Sequence, residues 1–177
     1  MGYHMKRVLL VALLFWACVS GCTKTVDVQA QINTQLVKDD QVIGTYLKNN
    51  NITATVIDSV AGAPTGIYFK IDTPGTGTGL FTSASQITVG WKAWYIKPDA
   101  TLSSIIQQTD NFHPSYILGE TLRGWQFGLE NSKMAVGGVI TLYVPSHYAY
   151  GPFPQDSLHV PANSPMVFNI KLYNITN

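Results

Sequence analysis

Several side chains that could perform chemistry lie together in "YVPSHYAYG", the segment from Tyr143 to Gly151. Ser146 beside His147 could form a nucleophile–base pair, and the histidine could equally bind a metal ion. The three tyrosines allow two other interpretations, a packed corner of the fold or one aromatic wall of a binding pocket. The rest of the sequence has to decide among these four possibilities.

The histidines and cysteines lack the spacing of a metal or nucleophile site. The chain has four histidines, at His4, His113, His147 and His159. They form no H-x₃-H or HExxH pattern, and no serine or cysteine lies in a GxSxG context. Sequence adjacency of Ser146 and His147 is no evidence for a triad, because triads depend on spatial proximity. We therefore expect no metal site, no cofactor and no catalytic base at His147.

Composition bounds the class of protein. The chain has 177 residues, a formal net charge of +1 and 12% charged residues, enough length for one domain with a sizeable core. No stripe of Lys and Arg could neutralise phosphates, which argues against nucleic acid as a partner. The glycine-rich "TPGTGTG" is a turn cluster rather than a phosphate loop, because neither a Lys-Ser/Thr pair nor a helix follows it.

Alternation of apolar and polar residues predicts the strands that must position the aromatic segment. These strands are "TATVID", "GIYFKID", "QITVGWKAWYI", "YILG", "GGVITLYVP" and "PMVFNIKLYNI". Within "GETLRGWQFGLENSK", Trp125 and Leu129 are four residues apart and predict one short helix with a buried face. Such a helix cannot hold itself in water, so we expect an α+β fold in which it packs against an antiparallel sheet.

The N-terminal residues have the pattern of a targeting segment. Lys6 and Arg7 precede a short apolar run that ends in "VSGC", and this pattern resembles the lipobox of bacterial lipoproteins. By that resemblance Cys22 carries the lipid, and the protein is anchored in the bacterial envelope, in the outer membrane facing the periplasm or the surface. We expect a signal peptide at 1–21, a tether at 22–36, a helix and strand extension at 37–63, and the main domain at 64–177. Helical spacing places the helix of that extension at about 38–50.

Two long segments resemble the FKBP-type peptidyl-prolyl cis-trans isomerases. They are "LRGWQFGLENSKMAVGGVITLYVPSHYAYG" and "HVPANSPMVFNIKLYNI". They hold, in order and at similar spacing, the family's G-W-x-x-G-L motif, a basic residue with a following Gly-Gly, a strand ending in proline, A-Y-G, a loop with V-P, and a strand of the form V-x-F-x-I-x-L. The resemblance implies a twisted antiparallel sheet half-wrapped around a short α-helix, with an apolar cavity between them.

Family positions imply a role for individual side chains of that cavity. Tyr150 would be a wall and hydroxyl donor, Trp125 the floor, and Phe168 a second aromatic wall. The resemblance also implies a set of substrate-binding residues: Trp91, Leu102, Ser103, Tyr116, Thr121, Leu122 and Val160. Of Trp91 and Trp94, three apart on one strand and so on opposite faces, we choose Trp91 for the cavity. Phe153, in the proline-rich loop, is either a lid or an exposed contact.

The resemblance implies a folding helper that isomerises X–Pro bonds of exported polypeptides and that binds macrolides of the FK506 and rapamycin type. One departure bears on this activity. The family's phenylalanine–aspartate pair stands here as Leu102 and Ser103, which predicts reduced turnover. A weakly active or inactive FKBP-like module that binds peptides or a partner protein in an envelope or motility complex is therefore the alternative.

Overall fold

The computed structural model describes residues 27–57, 65–77 and 79–177, and within these ranges seven strands form one antiparallel sheet. The strands are β1 (Thr55–Ile57), β2 (Ile67–Thr73), β3 (Gln86–Tyr95), β4 (Gln107–Gln108), β5 (Ser115–Ile117), β6 (Val139–Val144) and β7 (Met166–Thr176). Their order is β1-β2-β6-β7-β3-β4, and β5 also pairs with β3. The two longest strands, β3 and β7, are neighbours that are each paired on both sides, and they carry residues to both faces of the sheet.

Alternation along β3 and β7 gives the sheet two apolar faces. On β7, Phe168 and Ile170 belong to the main core, whereas Val167 belongs to a second cluster on the opposite face. On β3, Trp91 packs against the main core and Trp94 against the second cluster, as their spacing predicts. Each face is covered by one helix.

The first helix, α1 (Val28–Asn49), covers the second cluster. Asp27 caps its N-terminus by accepting a hydrogen bond of 3.0 Å from the N–H of Ala30. Its buried residues Asp39, Ile43 and Leu47 recur every four positions and therefore form one stripe against the sheet. No helix in the described ranges is long and apolar enough to cross a membrane.

The second helix, α2 (Arg123–Ser132), packs on the main core. A short 3₁₀ turn at Leu118–Glu120 leads into it, and Lys133 ends it in the left-handed conformation with φ 54°. Gly124 and Gly128 are both buried and face Val144 and Leu142 of β6, so the helix axis can lie close to the strand. The short helix thus holds Trp125 against the sheet.

The predicted α+β class, with a short helix packed on an antiparallel sheet, is confirmed. Two local expectations differ from the structure. Helix α1 begins at Val28 rather than near residue 38, so most of the expected tether is helical. β1 pairs with β2 and belongs to the same sheet as the main domain. The predicted signal peptide at 1–21 and the predicted lipid attachment residue Cys22 lie outside the described residues.

Candidate functional site

A cavity of about 420 Å³ lies where α2 meets the sheet. Its wall is drawn from four strands, two turns and the start of α2, rather than from one continuous segment. The lining residues are Trp91, Gln107, Tyr116, Glu120, Thr121, Leu122, Trp125, Tyr150 and Phe168. Five of the nine are aromatic, and one, Glu120, is a carboxylate. The site is therefore apolar and suited to a ring or an uncharged peptide group more than to a charged ligand.

Trp125 is the centre of this aromatic arrangement. Its ring meets Trp91 and Phe168 at centroid distances of 5.6 Å each, with interplanar angles of 82° and 80°. Tyr116 approaches it at 6.3 Å and 84°. These are edge-to-face contacts, the arrangement that aromatic quadrupoles favour. Three rings that lock the indole in this way leave it little freedom to rotate, so the cavity is preformed.

The cavity contains hydrogen-bond donors that the protein does not use. The indole nitrogens of Trp91 and Trp125 are buried and have no partner among the described residues. The backbone N–H of Leu122, the residue before α2, also donates to no acceptor in the described ranges. An unpaired buried donor costs about 1–3 kcal/mol, so a ligand acceptor that reached one of these groups would recover part of that energy.

Tyr150 adds a hydroxyl group to this set. The structure shows no partner for its hydroxyl within the described residues, and burial raises its pKa above the ordinary value. The phenol therefore stays protonated at neutral pH and can donate a hydrogen bond. Thr121 differs, because its hydroxyl already donates to the carbonyl of Leu118 at 2.7 Å.

A tight turn holds Tyr150 in place. The carbonyl of Ser146 accepts hydrogen bonds from the N–H of Ala149 at 2.9 Å and from the N–H of Gly151 at 2.7 Å. Gly151 has φ +62°, which a glycine adopts without strain. The residues on both sides of Tyr150 are thus tied to one carbonyl, which fixes the direction of the ring.

The structure brings together seven of the residues that the sequence singles out: Trp91, Tyr116, Thr121, Leu122, Trp125, Tyr150 and Phe168. Gln107 and Glu120 were missed. Glu120 directly precedes Thr121 in the same turn, and that adjacency could have indicated it. Gln107 lies on β4, a strand of two residues with no alternation to detect.

Leu102, Ser103 and Val160 lie outside this cavity. Leu102 pairs with Ile96, and paired residues project from the same face, so it packs in the second cluster on the α1 side of the sheet. Val160 is 2% exposed and packed within the main core, and it is not among the residues that line the cavity. Their expected places among the cavity residues are therefore corrected.

Ser103 lines a separate cavity of about 350 Å³, together with Tyr95, Lys97 and His159. Its hydroxyl accepts from the N–H of Tyr95 at 3.1 Å and donates to the carbonyl of Ser104 at 2.7 Å. These local bonds already use the hydroxyl, so Ser103 supplies no free polar group to the aromatic cavity.

Two other aromatic or titratable side chains also lie elsewhere. Phe153 is 70% exposed and lines a groove beside the N-terminal half of α1, not the aromatic cavity. Of the two possibilities left open for it, the structure favours the exposed contact. His147 lines the same groove and contacts the ring of Tyr148 at 4.9 Å.

Comparison with known proteins assigns a family to this arrangement. Residues 81–173 match the family model described as FKBP-type peptidyl-prolyl cis-trans isomerase. Among curated relatives, FkpA of Buchnera aphidicola is 32% identical over 126 residues, which are 67% of this chain and 44% of the relative. FK506-binding protein 1 of Saccharomyces cerevisiae is 28% identical over 108 residues, 60% of this chain and 91% of the relative. The chain thus spans less than half of the first relative's length.

Solved structures show the same fold. A peptidyl-prolyl cis-trans isomerase from Pseudomonas syringae superposes with a TM-score of 0.60 at 23% identity, covering 82% of this chain and 96% of that one. FkpA from Escherichia coli gives 0.56 at 22% identity, covering 84% of this chain and 64% of that one. At these identities the comparison supports the fold alone.

Proposed function

The chain belongs to the FKBP-type peptidyl-prolyl cis-trans isomerase family, and from this premise we propose that it isomerises X–Pro bonds held in the aromatic cavity. The observation that supports this proposal is the cavity itself. It is an aromatic site around Trp125 that also contains hydrogen-bond donors without a partner in the described residues, at Leu122 and Tyr150. Neither a nucleophile nor a charged acid–base pair is needed for such a reaction.

The chemistry follows from the resonance of the peptide bond. Rotation about an X–Pro bond crosses a barrier of roughly 20 kcal/mol, because the twisted transition state loses amide resonance. The planar amide is more dipolar than the twisted one. Transfer from water into an apolar cavity therefore destabilises the planar ground state more than the twisted transition state. The difference in binding between the two states lowers the barrier.

The donors of the cavity can hold the twisted bond. The N–H of Leu122 and the hydroxyl of Tyr150 each can bind one carbonyl oxygen on the two sides of the proline, while the ring of the proline packs on Trp125. Holding the carbonyl groups on both sides of the X–Pro bond fixes the twist about that bond. The proposed roles are thus a floor for Trp125, a donor for Tyr150 and an apolar wall for Phe168.

A proline-containing tetrapeptide assay tests this function. We expect Trp125→Leu to lower kcat/KM by about tenfold or more and Tyr150→Phe by a smaller factor, since the first removes the floor and the second a single donor. Tyr173→Phe is the matched control, because Tyr173 is exposed and lies outside the aromatic cavity. Absence of turnover by the wild type, or equal rates in all three variants, would refute the isomerase proposal.

A binding module with little turnover is the second candidate. Two observations favour it: Glu120 is the only carboxylate among the nine cavity residues, and Ser103, which stands at the family's aspartate position, lines a different cavity. The two candidates share the ligand class, proline-containing polypeptides and macrolides of the FK506 and rapamycin type. Quenching of tryptophan fluorescence by such a ligand, without isomerisation of a peptide, would favour the binding module.

We also propose export and attachment to the envelope through a lipid on Cys22. The "VSGC" pattern supports this, and α1 begins at Val28, so a lipid at Cys22 would bring α1 close to the membrane surface. The proposed substrates are then exported polypeptides, and the proposed location is the outer membrane. Intact mass of the membrane fraction should show acyl chains; Cys22→Ala should release the protein, whereas Cys18→Ala should not.

A further inference from the structure

Helix α1 contains a buried carboxylate that the cavity chemistry does not use. Asp39 is 1% exposed and is the only charged side chain that is buried in the described residues. Its oxygens accept three hydrogen bonds, from the amide of Gln35 at 2.7 Å, the N–H of Ser146 at 2.7 Å and the hydroxyl of Ser146 at 2.6 Å. Two of the three come from one residue that is 107 positions away in the sequence.

Ser146 connects this carboxylate to the cavity. Its N–H and hydroxyl point to Asp39, and its carbonyl accepts the N–H groups of Ala149 and Gly151. Tyr150 lies between these two anchored residues and lines the cavity. A continuous set of hydrogen bonds therefore leads from α1, through one serine, to the backbone on both sides of the tyrosine.

Attachment of α1 does not by itself explain this carboxylate. Ile43 at 0% and Leu47 at 7% exposure already pack the helix against the sheet. A buried carboxylate pays a large desolvation penalty, and an apolar residue at the same position would hold the helix at lower cost. The cost is visible in the raised pKa of Asp39, for which burial is the largest cause. The carboxylate fixes the orientation of the groups that bind to it, because charge-assisted hydrogen bonds are short and geometrically demanding.

We propose that Asp39 is a positioning residue for the prolyl cavity, which acts through Ser146 to fix the turn that presents Tyr150. On this proposal helix α1 is a part of the site's machinery even though it lies on the opposite face of the sheet. The proposal rests on the proposed function for its effect on turnover, but the geometry of the turn can be measured without turnover.

The test compares Asp39→Asn and Ser146→Ala with Asp40→Asn in the full chain. Asp40 is the matched control, because it lies next in the same helix, is exposed and binds the hydroxyl of Tyr68 instead. We expect kcat/KM to fall by about tenfold to a hundredfold in the first two variants, as a displaced catalytic group predicts. Asp40→Asn should stay within about twofold of the wild type, as exposed substitutions usually do.

Two readouts separate positioning from general stability. Amide hydrogen exchange at Ala149 and Gly151 should accelerate in both variants, while exchange at Ile170 in β7 stays unchanged. In a Tyr150→Phe background, Asp39→Asn should lose most of its effect on kcat/KM, since both changes act on one group. A stability effect alone would show neither the local exchange nor the non-additivity.

Each outcome decides the proposal. If the wild type shows no turnover but exchange at Ala149 and Gly151 still responds to Asp39→Asn, the isomerase function fails and the positioning of the turn stands. If Asp39→Asn and Ser146→Ala match Asp40→Asn in rate and exchange, the positioning proposal is overturned. If both variants lose the fold as a whole, Asp39 has only a structural role and the proposal is overturned as well.

Discussion

Substitution of Gly124 by alanine tests how closely α2 must lie on the sheet for the cavity to form. A Cβ atom at this position would lie 2.3 Å from Cγ1 and 2.9 Å from Cγ2 of Val144, and 3.2 Å from the carbonyl oxygen of Tyr148. Ordinary contacts between carbon atoms are about 3.5–4.0 Å, so the helix and strand must separate by about 1 Å. Val144 is fully buried and β-branched, so its side chain is restricted at χ1.

The expected energy is a balance of two opposed effects. Overpacking of a tight core costs about 1–3 kcal/mol, whereas alanine gains up to about 1 kcal/mol over glycine in a helix. We therefore expect Gly124→Ala to lower the free energy of unfolding by about 1–2 kcal/mol. Because Trp125 is the next residue, the same shift should displace the cavity floor and reduce kcat/KM.

Urea unfolding and peptide isomerisation measure the two effects. With a slope near 2 kcal/mol/M, the unfolding midpoint should fall by about 0.5–1 M at an unchanged slope. Gly128→Ala is the matched control: its Cβ would meet the two terminal methyl groups of Leu142 at 2.6 and 2.7 Å, at the end of a more flexible side chain. We expect it to cost less than Gly124→Ala. A Gly124→Ala protein as stable and as active as the wild type would show that the close approach is not required.

Three further predictions follow from particular side chains. Burial raises the pKa of Asp39, so the stability that this group contributes is complete below its unfolded-state pKa and is lost as the pH rises through its folded-state pKa. In urea unfolding between pH 4 and 8, the wild type should therefore lose stability relative to Asp39→Asn. His147→Gln in both backgrounds removes the imidazole whose charge acts on Asp39. Trp91→Phe should change the free energy of unfolding by less than about 1 kcal/mol, because loss of packing is offset by removal of an unpaired indole N–H; a larger loss in urea unfolding would contradict this. Leu102→Ala should lower the free energy of unfolding by about 1 kcal/mol while kcat/KM stays within twofold, since Leu102 is half-buried on the α1 side; a selective loss of activity would place it at the cavity after all.

Much of the fold and of the cavity could be predicted because long strands carry a clear period. Alternation along β3 separates Trp91 from Trp94, and the structure places them on opposite faces. The spacing of Trp125 and Leu129 predicts the face that α2 buries, and both are buried. In these segments local pattern and tertiary packing favour the same conformation.

The remaining features depend on contacts that no local pattern records. Five of the ten residues 28–37 of α1 are polar and none of the ten is buried, so their helical state follows from the cap at Asp27 and continuation of the helix rather than from core packing. Asp39 resembles a first-turn acidic residue in sequence, and its burial follows only from Ser146, which is distant along the chain. The position of Leu102 depends on a single bridge to Ile96 across a turn.

The edge strands of the sheet affect how the protein meets other polypeptide chains. β1 is three residues long, and on the other side β4 and β5 have two and three residues. Exposed ladders are templates on which extended chains can add as new strands, and short edges limit such pairing. A protein proposed to meet incompletely folded polypeptides would otherwise risk co-aggregation with them. With edge strands this short, the aromatic cavity is the proposed place at which such chains bind.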